Sequence, residues 1–210
     1  MGSIPHPGGT TFRVWAPHAE KVFVAGTFND WSETACALSP EENGYWAADV
    51  PGAKPGDEYR YLLHTAVGEL WRNDPYAREL THSGGNSLIV AQQFEWTDQD
   101  FQMPAWNEMV IYEMHVGTFN AKGKDQPGTF ETAIEKLAYL KDLGINVVQM
   151  MPPTEFPGGF SWGYNPAQPF ALESAYGGEQ AFRELINAAH GHGLAGVMGV
   201  GYKHFGPRDH

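Results

Sequence analysis

The hydrophobic rhythm of this 210-residue chain changes once, near residue 94, and that change constrains the fold more than any other feature. Before it, short stretches alternate apolar and polar residues with a period of two, and no long helical pattern fits. Strands are predicted over residues 11–15, 21–25, 44–50, 58–64 and 87–90. Turn-forming groups separate them: Asn29-Asp30, Glu42-Asn43-Gly44, Pro55-Gly56-Asp57 and Ser83-Gly84-Gly85-Asn86. Residues 10–93 are therefore expected to form an antiparallel β-sandwich, and the aperiodic residues 94–107, with Pro104, a linker.

From residue 108 the pattern is strand, helix, strand, helix, strand. An apolar run over 110–116 ends at Gly117, and Thr129 can cap a helix whose Phe130, Ile134, Leu137 and Leu140 recur every three to four residues. Residues 145–151 read as a buried strand, 179–192 as a second helix with Phe182, Leu185, Ile186 and Ala189 on one face, and 194–202 as a third strand. Strands alternating with amphipathic helices imply parallel βαβ units, which suit either an open doubly wound sheet or an arc of a barrel.

Charge and cysteine content exclude several function classes. A formal net charge of −12 repels nucleic-acid phosphates and anionic membrane surfaces, so neither is expected as a partner. Cys36 is the only cysteine, which rules out an intramolecular disulfide framework. Residues 1–10 have neither the basic start nor the apolar core of a signal peptide, and no later stretch is long enough to span a bilayer, so a cytoplasmic location is expected. Seven tryptophans and 13% aromatic residues are material suited to sugar binding.

Long motifs carry a more specific signal. Phe12-Arg13-Val14-Trp15-Ala16-Pro17, Gly26-Thr27-Phe28-Asn29-Asp30-Trp31 and the run Trp71-Arg72-Asn73-Asp74-Pro75-Tyr76-Ala77-Arg78 resemble the N-terminal sandwich of glycogen branching enzymes, isoamylases and maltooligosyltrehalose trehalohydrolases. Residues 111–119, 151–156, Trp162-Gly163-Tyr164-Asn165-Pro166 and Tyr202-Lys203-His204-Phe205-Gly206-Pro207 resemble the start of the catalytic barrel of the same α-amylase superfamily, glycoside hydrolase family 13. The resemblance runs from about residue 10 to the end. It implies an immunoglobulin-like, glucan-binding sandwich followed by the first three β/α units of a TIM barrel over residues 108–210.

The resemblance also implies site residues. Trp31, Arg60, Trp71 and Asn86 match positions where glucan-binding members of the sandwich family touch sugar. The competing role is packing, with Trp15 and Trp46 in the sandwich core and Trp71 between the two halves. Tyr164 matches the aromatic residue beneath the glucose ring at the cleavage subsite and His204 the histidine that binds its hydroxyls, both at the C-terminal edge of the barrel strands. Glu113 is expected to be strand-end scaffolding, and Glu155 and Glu173 loop residues. His190-Gly191-His192 lacks the spacing of a zinc helix motif, so helix-end histidines meeting the dipole are expected there, and no metal or cofactor is expected.

The chain departs from the superfamily pattern in ways that bear on chemistry. A retaining glycosidase needs two carboxylates about 5 Å apart, which the family supplies from its fourth and fifth strands, with a further aspartate after the seventh. Within the third-strand motif, Gly199 stands where the family has an aspartate and Lys203 where it has an asparagine. A lysine brings positive charge where calcium would need an oxygen ligand. No catalytic residue is expected among these 210, and the isolated chain is expected to show little or no catalysis. Its third strand has an open edge, weakened by Gly196, Gly199 and Gly201, through which a second copy or a complementing chain would associate, unless the sequence is a fragment or a degraded gene product. Two functions compete: an enzyme of α-glucan metabolism of the branching or trehalohydrolase type, and a non-catalytic protein that holds α-glucan or maltooligosaccharide through its sandwich.

Overall fold

The computed structural model describes residues 1–204 and 206. Phe205 and Pro207 of the third-strand motif lie outside the described residues. The chain divides into two units, the first comprising residues 1–93 with 168–171, the second residues 94–167 with the following segment from residue 172.

The first unit is a sandwich of two antiparallel sheets. One contains β1 (Gly2–His6), β2 (Gly9–Trp15), β4 (Ser39–Pro40) and β5 (Tyr45–Pro51) in the order β1-β2-β5-β4. The other contains β3 (Ala19–Gly26), β6 (Glu58–Thr65) and β7 (Gly68–Arg72) in that order, with β8 (Ser87–Leu88) also paired to β6. Alternation along β2 and β6 turns Phe12, Val14, Tyr59 and Tyr61 into one core with Val22, Val24, Val50 and Ile89. Phe12 and Tyr59 meet edge to face at 5.0 Å, a geometry that adds quadrupole attraction to the burial of two large rings. Tyr76 stacks on Phe170 at 5.0 Å, and Ala171 is buried with Ala77 and Leu80.

The same alternation corrects one expectation. Trp15 is not core: it follows the inward Val14, so its side chain is turned outward and is 57% exposed, with its indole N–H donated to the Asn43 carbonyl at 3.1 Å. Trp46 is packed against the core as expected and donates to the Ala16 carbonyl. The five expected strands are present, and β1 and β7 add to them. β1 pairs with β2 from Gly2↔Arg13 to His6↔Gly9, and β7 pairs with β6 from Tyr61↔Arg72 to Thr65↔Gly68.

A buried carboxylate ties these strands to the segment that follows β7. Asp74 is fully buried and accepts from the hydroxyls of Tyr59 at 2.7 Å and Tyr61 at 3.4 Å and from the Tyr76 backbone N–H at 2.8 Å. Its own N–H donates to the Ser87 hydroxyl at 3.0 Å, which brings β8 into the network. Burial pushes the Asp74 carboxyl above its ordinary range, and the three donors oppose that shift.

The second unit is built on three parallel strands, β9 (Ile111–Met114), β10 (Val147–Met150) and β13 (Ala195–Met198), with β10 in the centre. Val147 lies opposite both Ile111 and Ala195, and Met150 opposite both Met114 and Met198. Two short strands, β11 (Thr154–Glu155) and β12 (Gln168–Leu172), fall between β10 and the last helix. The helices are α1 (Val116–Phe119), α2 (Phe130–Ile134), α3 (Leu137–Asp142) and α4 (Gly178–Gly191). Thr129 caps α2 as expected: its side chain accepts from the Thr132 N–H, and the Thr132 hydroxyl accepts from the Thr129 N–H. The single helix expected here is split, because Lys136 leaves helical geometry at φ −110°, ψ 3°. Its apolar stripe survives the break, with Phe130, Leu137 and Leu140 buried against Val148, Met150, Leu185 and Ala189. Burial of each such side chain contributes about 1.5–3 kcal/mol.

Consecutive strand order is shared by a barrel arc and by half of a doubly wound sheet, so order alone does not separate them. The third strand is shorter than the expected 194–202, ending at Met198, where Gly199 begins. Among the described residues no helix is long and apolar enough to cross a membrane.

Replacing Asp74 with alanine is expected to lower the stability of the sandwich by about 3 kcal/mol, because two buried tyrosine hydroxyls lose their acceptor. Urea unfolding followed by tryptophan fluorescence measures it; Tyr61→Phe, which removes the longest of these bonds, is expected to cost less than half as much.

Candidate functional site

The sandwich residues expected to touch sugar belong to the second sheet or to the segments at its ends. Tyr59, Tyr61 and Leu63 of β6 enter the core, so Arg60 and Leu62 are turned to the outer face, and Trp71 of β7 lies opposite Leu62 in register. Arg60 donates from one guanidinium nitrogen to the carbonyls of Gly84 and Gly85, both at 3.0 Å, and the Asn73 amide donates to the Gly85 carbonyl at 2.7 Å. These bonds fix the turn that carries Asn86, whose amide donates to Glu58 of β6 at 2.6 Å. Arg60, Trp71 and Asn86 thus come together around one face. Arg60 also has a buried Nε with no partner among the described residues, and its engaged amine makes it a clamp on the loop.

Trp31 sits beyond the end of β3, where Gly26 pairs with Tyr59. The Asn29 side chain accepts from the Gly26 N–H at 2.9 Å and donates to the Val24 carbonyl, so the turn closes on itself. Asp30 and Trp31 both have left-handed backbones, φ 51° and 57°. For a bulky residue that conformation is strained, and it is held here by the surrounding bonds, which aim the half-buried indole from the sheet end.

At the strand ends of the second unit, Tyr164 is 48% exposed and His204 is exposed with φ 62°. The segment after β13 runs beside the segment carrying Tyr164: a Cβ at Gly201 would meet the Tyr164 Cα at 3.5 Å, and the Gly206 N–H donates to the Pro166 carbonyl at 3.0 Å. Gly163 could be nothing else, since its φ is 84° and a Cβ there would fall 1.9 Å from the Pro152 carbonyl oxygen. Trp162 and Tyr164, on either side of it, both face solvent. Glu113 accepts from Gln149 at 3.4 Å across neighbouring strands, as scaffolding would.

Glu155 and Glu173 are not loop residues in solvent but a fully buried carboxylate pair. Each accepts from the backbone next to the other: the Ser174 N–H donates to Glu155 at 2.9 Å, and the Phe156 N–H donates to Glu173 at 3.2 Å. Burial first, and then the charge of Glu155, push the Glu173 carboxyl up to about 7. The turn they fix positions Tyr176, whose hydroxyl lies 3.2 Å from His115 Nε2 and is pushed up to about 12 by burial and by Glu173. Sequence patterns did not single out His115 or Tyr176; two glutamates within one loop-helix connection, each beside an apolar residue, were the available signal. His190 does more than meet the helix dipole: in the last turn of α4 it pairs with Asp98 at 2.5 Å and stacks on Phe101 at 4.0 Å.

Comparison with known proteins now discriminates between the two readings of the parallel sheet. Residues 1–77 match carbohydrate-binding module 48, the isoamylase N-terminal domain, and residues 89–208 match the alpha amylase catalytic domain. The chain belongs to the alpha-amylase family. Its three parallel strands are therefore the opening arc of that family's barrel. It is 36% identical to malto-oligosyltrehalose trehalohydrolase of Saccharolobus solfataricus, covering 95% of this chain and 34% of the relative. To a 1,4-alpha-glucan branching enzyme of Xanthomonas campestris it is 32% identical, covering 98% and 29%. It also superposes on the crystal structure of a Salmonella typhimurium protein named as an alpha amylase, with a TM-score of 0.84, 33% identity, and coverage of 98% and 34%. The chain spans about a third of the length of the curated relatives it matches.

Within this alpha-amylase family chain, the two departures in the third-strand motif differ in kind. Lys203 is exposed. Gly199 is not merely a missing side chain: its N–H donates to the Met150 carbonyl at 2.7 Å, and a Cβ would stand 2.7 Å from that oxygen. An aspartate at 199 would require the backbone to move away from Met150.

Glu173 makes the stability of the barrel unit depend on pH. Its folded value lies above the ordinary 4.5, so between pH 4.5 and about 7 the folded chain keeps a proton that the unfolded chain has released. Stability is therefore expected to fall by up to about 3 kcal/mol as pH rises through that window and to level off above it. Urea midpoints measured from pH 4.5 to 8 test this, with Glu173→Gln expected to flatten that part of the slope.

Proposed function

We propose that this chain binds α-glucan through the outer face of its sandwich, as the binding part of an α-glucan-processing protein of the branching-enzyme or trehalohydrolase type. The observation that carries the proposal is the grouping of Trp71, Asn86 and the Arg60-clamped turn around one face, with the strained Trp31 at the sheet end. Indole faces pack against the axial C–H groups of a pyranose, while amide and guanidinium groups bond its hydroxyls. The printed names of the relatives, which concern trehalose-capped and branched α-glucans, support the same substrate class. For catalysis by residues 1–210 the motif departures at Gly199 and Lys203 are unfavourable, since they replace a carboxylate and an amide by a hydrogen atom and a cation.

Isothermal titration with maltoheptaose or β-cyclodextrin tests the proposal. Saturable binding is expected, weakened at least tenfold in the Trp31→Ala, Trp71→Ala double variant, each lost aromatic contact being worth about 1 kcal/mol. No release or transfer of glucosyl units is expected in the same samples. A folded chain that binds neither ligand overturns the proposal, and measured turnover overturns its non-catalytic part.

A further inference from the structure

A second cleft lies in the barrel unit, away from the residues that the motifs single out. It encloses about 600 Å³ and is lined by His115, Thr118, Lys124, Gln126, Phe160 and Trp162, with Tyr176 beneath; neither Tyr164 nor His204 lines it. That volume lies within the range of about 300–1,000 Å³ typical of small-molecule sites.

Its floor is rigid. His115 Nε2 lies 2.8 Å from the Ser161 carbonyl and Nδ1 lies 2.9 Å from the Thr118 hydroxyl. A carbonyl can only accept, so Nε2 carries the hydrogen and, in the neutral ring, Nδ1 accepts from Thr118. Tyr176 is buried against Phe130 and Phe156 and is placed by the turn that Glu173 and Glu155 brace. One wall is the loop before α2. Lys122 pairs with Glu135, the Asn120 amide donates to the Thr132 carbonyl at 2.6 Å, and Gly123 bridges to Gln126.

The opposite wall is aromatic and bare. Phe160 and Trp162 are 72% and 71% exposed although they lie on a turn that Ser161 closes, its hydroxyl accepting from the Gly163 N–H and bonding Asn165. Two solvent-facing rings above a polar floor, with an amide, a hydroxyl and one ammonium at the rim, are the complement of a neutral pyranose. A phosphate group would call for several converging cations, and Lys124 is the only ordinary cation lining the cleft among the described residues.

We propose that this cleft is a second carbohydrate site, taking a single glucosyl or maltosyl unit against Trp162 and Phe160 with hydroxyls bonded by Thr118, Lys124 and Gln126. The inference rests on the α-glucan reading for its ligand class, but it concerns different residues from the sandwich face. Together the two sites would let one chain hold two segments of glucan.

The test follows the indole N–H resonances of the ¹⁵N-labelled chain during titration with maltose, with Trp162 assigned from Trp162→Phe. A saturable shift of the Trp162 resonance is expected, and Phe160→Ala is expected to weaken it about tenfold while leaving the response of Trp31 and Trp71 unchanged. Because Phe160 is exposed, its removal does not threaten folding, and an unchanged spectrum elsewhere verifies that. If maltose shifts Trp31 and Trp71 but leaves Trp162 unmoved, the cleft inference is overturned and the sandwich reading stands. If Trp162 alone responds, the cleft is supported and the sandwich reading fails. Should no indole respond to maltose or maltoheptaose, both are overturned.

Discussion

The sandwich depends on one carboxylate that has no contact with solvent. Asp74 lies at the start of the connection after β7, yet it gathers hydroxyls from two inward-facing tyrosines of β6, a backbone donor two residues ahead, and through its own N–H the Ser87 hydroxyl of β8. A carboxylate in the interior is costly unless its oxygens are bonded. Tyr59 and Tyr61 are equally costly without an acceptor, so each group makes the others tolerable and the set forms as a unit. Its geometry then decides where Asn73 places its amide on Gly85, and hence where Asn86 stands relative to Arg60 and Trp71. The candidate sugar face is therefore positioned from the core outward.

What could be read from the residues follows from what each element buries. β2, β3, β5 and β6 carry period-two alternation because one face of each meets the same core, and they were visible on that account. β1 has Pro5 and polar neighbours and is held by its ladder to β2 more than by burial, so it left no pattern. Trp15 shows the limit of composition: a tryptophan suggests core, but its place after Val14 in the alternation sends it outward. In the second unit the apolar stripe survives a helix break at Lys136, because residues 130, 137 and 140 still reach the same sheet face while the backbone between them changes course.

The barrel-end chemistry was less legible, because it arises between segments distant in sequence. Glu155 and Glu173 stand 18 positions apart and look like loop acids; only the folded chain shows each accepting the N–H beside the other. The same holds for His115 and Tyr176, 61 positions apart, which acquire meaning once the turn at 174–176 lays the phenol against the imidazole. Motif resemblance located Tyr164 and His204 at the strand ends but carried no information on the cleft beside them, whose walls are loop residues of ordinary type.

Gly199 ties these strands of reasoning together. A glycine at that place in the motif could be a conservative loss that leaves the backbone waiting for an aspartate, or it could be part of a different local packing. The 2.7 Å bond from its N–H to Met150 and the 2.7 Å approach of a hypothetical Cβ to the same oxygen favour the second. With no side chain to accommodate, the segment after β13 extends its pairing with the end of β10, and a charged side chain would have to break that bond to enter. The strand end has adapted to glycine, whereas the sandwich retains a strained tryptophan that packing alone does not require. Backbone strain kept in one unit, and side-chain chemistry closed off in the other, point the same way: binding is the function this stretch of chain is built to perform.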